Sequence, residues 1–97
     1  MKIIGQNYTV SRSITANDSQ SIAFSNANKQ VIVFQVGGEQ PRELLKAVMI
    51  HEILEVLNCM YELNIPHPVL CALDTGLHQV FTDAGVDLSP LLKELDE

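Results

Sequence analysis

The chain has little with which to cross-link itself, leave the cell or hold nucleic acid. Only two cysteines occur, Cys59 and Cys71, too few for a disulfide framework. The opening MKIIGQNYTV lacks the basic region, continuous apolar core and small-residue cleavage site of a secretory signal. A reducing cytoplasm is therefore the expected compartment, with the two thiols reduced, buried and near each other. Basic residues are scarce in the second half: residues 1–46 hold five Lys or Arg against three acidic side chains, and residues 47–97 hold one against nine. That balance argues against a duplex-binding surface there and leaves an acidic face suited to solvent, a cationic partner or a metal ion. No apolar run approaches the ~20 residues of a membrane span, because Lys46, His51, Glu52 and Glu55 interrupt the longest one. Repeats and low-complexity tracts are missing as well, so the 97 residues are read as a single domain, 1–97, able to remove roughly 60 to 70% of its unfolded surface from water.

What is present is a change of pattern near the middle. KIIGQNYTV, SIAFS and QVIVFQV are rich in β-branched and aromatic residues and read as strands, the last two joined by the turn-prone NANK. SRSITANDSQ has the polar, turn-forming chemistry of an exposed loop. After VGG, Pro41 suits the first turn of a helix, where its missing N–H costs nothing, and Glu43 favours the positive end of the helix dipole. The spacing predicts a helix from about Pro41 to Leu63, with Leu45, Met49, Ile50, Ile53, Val56, Leu57 and Met60 wrapping more than half of it. NIPHPV breaks it, and a second, antiparallel helix follows from about Pro68 to Asp83, with Leu70, Leu73, Leu77, Val80 and Phe81 on one face. Gly76 inside that helix implies a close approach of the first. Ser89 and Pro90 read as cap and first turn of a short C-terminal helix. The expected fold is α+β: a small, mostly antiparallel sheet of about three strands, then a long central helix, a second helix and a short third.

The long helix carries the chemistry. In AVMIHEILEVLN the only polar residues between Ala47 and Leu57 are His51, Glu52 and Glu55, on a run that should be buried, where charges need partners. His51 and Glu55 are four apart and share a face, continued by Leu44, Val48, Asn58 and Glu62; Glu52 sits about 100° around. This is the layout of H-E-x-x-H with glutamate in the second ligand position. There the first and fifth residues hold zinc, and the glutamate between them acts as base on water. The other readings are a buried hydrogen-bonded cluster without metal, and a plain solvated face.

Zinc needs a third protein ligand, and His67, Cys71, Asp74 and His78 lie within about 60° on one edge of the second helix. If the chain turns back near residue 65, His78 and Asp74 face the motif. His67 then lies some 15 Å or more from His51 along the axis, unless the long helix ends early. Asp74 could also orient a ligand histidine. The metal candidates are thus His51, Glu55, His67 and His78, with Glu52 as catalytic base. No arginine and no clearly placed tyrosine offers itself to an oxyanion, and an anionic ligand at position 55 would weaken the acidification of bound water.

HEILEVLN, ELNIPH and LDTGLHQVF, the last similar to a recurring L..GL.QVL segment, together span about residues 44–82. In these segments the chain resembles a group of small phage and prophage proteins of unassigned function that carry HEIxE or HEIxH on a central helix. The resemblance implies a minimal zincin-like α+β fold, with His51, Glu52 and Glu55 at the motif positions. It also places His67 where a histidine is familiar, while His78 stands where tyrosine is more usual. The resulting expectation is a small cytoplasmic zinc protein, metallopeptidase-like and acting on peptide bonds. The alternative is a non-catalytic phage or host interaction protein with an acidic binding face. Its partners would be peptides or proteins, not nucleic acid or membrane, and open sheet edges would permit a dimer.

Overall fold

In the computed structural model residues 1–13, 22–35 and 40–96 are described. The elements are β1 (Lys2–Ile3), β2 (Gln6–Asn7), β3 (Thr9–Ser13), β4 (Ala23–Asn26), β5 (Val31–Gln35), α1 (Arg42–Met60), α2 (His67–Asp83) and a 3-10 turn (Ser89–Leu92). The α+β class holds, with the strands in two small sheets. β1 and β2 form an antiparallel hairpin, and the other three strands lie in the order β3-β5-β4. The expected single strand over KIIGQNYTV is broken because Ile4 and Gly5 both take positive φ, 52° and 74°, the backbone of a tight hairpin turn. Gly5 adopts it freely, whereas a β-branched isoleucine seldom does.

The three-stranded sheet is mixed. β4 and β5 pair antiparallel across the NANK turn, where the Asn26 side chain accepts from the Lys29 N–H at 3.0 Å. β3 pairs parallel to β5, Val10 beside Ile32 and Arg12 beside Phe34. The expected loop over SRSITANDSQ begins inside β3, which runs to Ser13; residues 14–21 lie outside the described residues, as does the VGG stretch.

Ile32 and Phe34 of β5 are fully buried and meet Leu45, Met49 and Val56 of α1. Truncating such a side chain as Phe34 to alanine costs about 3–5 kcal/mol. Leu92 and Leu95, from the 3-10 turn and the turn after it, close the same core. The expected C-terminal helix is thus only this turn, uncapped by Ser89, whose N–H donates instead to Asp87 at 2.9 Å. Arg42 clasps Asp96 with both terminal nitrogens, at 2.7 and 3.0 Å, and the Met1 amino group pairs with Glu94.

α1 ends at Met60, three residues earlier than its spacing suggests. Glu62 and Asn64 take positive φ, and the Asn58 side chain clamps Ile65 in both directions, donating to its carbonyl at 3.0 Å and accepting from its N–H at 2.9 Å. With Pro66 at the cap and Pro68 in the first turn, α2 starts at once and runs back along α1. Only Leu70 and Asp74 of α2 are buried; Val69, Leu73, Val80 and Phe81 are exposed. The apolar face expected to pack there is therefore largely open, because α2 lies mainly against α1. Apart from its own stretch of helix, no described atom comes within 4 Å of where a Cβ on Gly76 would sit, so the close approach inferred for it is absent. Among the described residues no helix is long and apolar enough to cross a membrane.

Candidate metal centre

The early turn decides which side chains meet. Because α1 stops at Met60, α2 is shifted toward the turn relative to a pivot at residue 65, and Asp74 rather than position 79 comes opposite His51. His51 Nδ1 lies 2.7 Å from Asp74 Oδ2, and the carboxylate fixes the ring so that Nε2 is free to ligate. Asp74 is itself held, its Oδ1 accepting from the Thr75 hydroxyl at 3.1 Å.

The same shift brings His67 to the motif. Its ring centroid is 5.0 Å from that of His51, at an interplanar angle of 78°, in place of the 15 Å or more expected from the later turn. One helical turn on, Cys71 Sγ lies 3.4 Å from His67 Nε2. His51, His67 and Cys71 each offer a ligand atom, all within 4.8 Å of one another, and could together hold a metal ion. Glu55 stands behind this group, its Oε1 4.0 Å from His67 Nδ1. Each histidine thus has a carboxylate on its Nδ1 side, Asp74 for one and Glu55 for the other.

His78, a candidate ligand from the sequence, is placed elsewhere. Its Nε2 is 3.0 Å from Glu43 Oε2, two turns of α1 before His51, and it is not in the group that the hairpin brings together. The cysteines, expected to be buried, are both exposed. Cys71 was visible in the sequence, four residues after His67 and so on the same face, but a core role for it hid the pairing.

Glu52 is 5% exposed. Its carboxyl is pushed above the ordinary range chiefly by burial, reinforced by the nearby Glu55 and opposed by a hydrogen bond with Ser25 and the charges of His51 and His67. It lines a cavity of about 570 Å³ between β4, α1 and α2, shared with His51, Glu55, His67, Cys71 and Asp74. The arrangement offers two imidazoles and a thiol converging at the wall of a cleft, a buried carboxyl beside them, a carboxylate hydrogen-bonded to His51, and a further one 4.0 Å from His67. No family model, curated protein or solved structure matches the chain.

Proposed function

We propose that this protein is a small zinc-binding hydrolase of peptide bonds, of the phage type that its central helix resembles. His51, His67 and Cys71 are the ligands, Glu52 is the general base, and Asp74 and Glu55 orient the two histidines. The observation that carries the reading is the 3.4 Å between Cys71 Sγ and His67 Nε2. Two ligands at Zn–S of about 2.3 Å and Zn–N of about 2.0–2.1 Å, spread tetrahedrally, stand about 3.5 Å apart. The donor set fits as well, since zinc accepts imidazole and thiolate together, and three protein ligands leave a fourth position open.

Zinc held there would polarise a carbonyl and acidify water at neutral pH. The chain's own part is then limited and definite. Asp74 keeps the proton of His51 on Nδ1, so that the lone pair points at the cluster. Glu55, four residues from His51 and on the far side of His67, serves as the orienting partner of His67 rather than a ligand. The single anionic ligand is then the Cys71 thiolate in place of the glutamate at that motif position. Glu52, one residue from His51 and lining the same cavity, takes a proton from water and returns it to the leaving amine.

Metal analysis of protein purified without an affinity tag tests the proposal. The expected result is one zinc per chain and a melting temperature raised by zinc and lowered by chelator. Glu52→Gln should retain the zinc and lose hydrolysis. No stoichiometric zinc and no thermal response would instead favour the non-catalytic interaction protein, whose docking surface would include the open outer face of α2.

A further inference from the structure

The cavity beside the cluster has two chemically different ends. Around His51 and α2 it is polar, whereas Leu44, Ala47 and Val48 of α1, with Ile22, Ala23 and Phe24 at the start of β4, give it an apolar wall. Val48, Ala47 and Leu44 are three, four and seven residues before His51, on the same stripe, and so lie about 4.5 to 10.5 Å from it along the axis. Leu44 is 38% exposed, and Ala47 and Val48 are half-buried. An apolar shelf of this kind, continuous with convergent polar groups, has the composition of a ligand site rather than of ordinary surface.

We infer that the shelf of Leu44, Ala47 and Val48 binds the apolar side chain of the substrate residue next to the bond presented to His51, His67 and Cys71. This rests on the hydrolase reading and adds a specificity to it. One residue of extended chain spans about 3.3–3.6 Å, so a side chain flanking the scissile bond falls beside Val48 and Ala47, and a long one reaches Leu44. A carboxylate laid on this apolar wall would lose water without gaining a partner, so an acidic residue fits poorly in the same place. The preferred substrate is therefore a peptide with a leucine-like residue at that position, and an aspartate there is excluded.

The test compares N-acetylated hydroxamates of glycine, leucine and aspartate on the zinc-loaded protein. Filling the shelf with a leucine side chain should tighten binding about 10-fold or more over glycine, with aspartate weaker than glycine. Leu44→Asn, at a half-open position, should remove most of the leucine advantage and leave zinc affinity and the glycine compound unchanged. Equal affinity for leucine and glycine, or a preference that survives Leu44→Asn, would overturn the inference. A second measurement does not depend on metal. In zinc-free protein N-acetyl-leucinamide, but not N-acetyl-glycinamide, should shift the methyl resonances of Leu44, Ala47 and Val48. Those shifts in a protein that takes up no zinc would leave the shelf standing while the metal reading fails, and their absence would sink the shelf alone.

Discussion

His51 on α1 and Asp74 on α2 are joined by a 2.7 Å contact from Nδ1 to Oδ2, and both side chains are largely withdrawn from solvent, at 14% and 13% exposure. That contact ties the two helices together beside the cluster and sets the direction in which the imidazole points. Removing the carboxylate charge while keeping its shape should therefore act on metal binding rather than on folding alone. For Asp74→Asn, zinc affinity measured by chelator competition is expected to fall about 10- to 100-fold, the usual cost of losing the group that orients a ligand histidine. An unchanged affinity would show that Asp74 has no such role.

The ligand assignment separates His67 and Cys71 from His78. Cys71→Ser and His67→Ala should each abolish stoichiometric zinc, because two remaining donors cannot hold the ion as three do. His78→Ala should leave zinc affinity where it was, since His78 is engaged with Glu43. The same competition titration applied to all three variants decides the matter. A loss with His78→Ala equal to that with Cys71→Ser would refute the arrangement.

Gly76 lies inside α2, takes no positive φ, and has open space where a Cβ would be. Nothing in the fold offsets the flexibility it brings to the unfolded chain. Gly76→Ala should stabilise the protein by about 0.5–1 kcal/mol, read as a higher midpoint in urea with an unaltered slope. A destabilised variant would mean that the open face of α2 is occupied in solution.

The cluster depends on Asn58 in a way its position outside the motif conceals. With both amide atoms bonded to Ile65, the side chain sets where the chain doubles back. Asn58→Ala leaves the N–H and carbonyl of Ile65 without these partners, at a cost of about 1–3 kcal/mol. It should also weaken zinc binding by letting α2 slip along α1. Zinc titration followed by thermal unfolding reads both effects, and full zinc affinity in a destabilised variant would show that the turn does not govern the site.

That dependence marks how far the sequence could be read. Pro41 announced the start of α1, NIPHPV the break, and NANK the β4–β5 turn, because each acts through local backbone chemistry that does not wait for tertiary structure. The His51-Glu52-Glu55 spacing was equally plain. Direction of strand pairing was not, since alternating side chains look the same whether β3 runs with β5 or against it. Nor was the hairpin at Ile4, a residue type that argues against the conformation it takes. The choice among His67, Cys71 and His78 turned on a pivot displaced by only a few residues, and each residue moves a helical side chain about 100° around and 1.5 Å along. A polar clasp at Asn58 and two left-handed residues decided it, and neither has a periodic signature.

Acid should loosen the molecule at its C-terminal end. Arg42 holds the Asp96 carboxyl below its ordinary range through a two-point hydrogen bond, and the Met1 amino group does the same for Glu94. A carboxylate whose folded pKa is depressed contributes stability that is complete above its unfolded value, here 3.8 for Asp96 and 4.5 for Glu94. That contribution is lost as pH falls through the lower, folded value. The melting temperature should thus fall as pH drops from about 5 toward 3, and Asp96→Asn should flatten part of that fall while lowering stability at neutral pH. Because Arg42 and Asp96 are both about half exposed, at 49% and 43%, added salt should shrink the difference between wild type and variant. A variant whose profile matches wild type at low ionic strength would show that the clasp contributes nothing to the fold, and that the burial of Leu92 and Leu95 together with the Met1–Glu94 pair and the Arg12 bond to the Leu95 carbonyl keeps the terminal turn in the core.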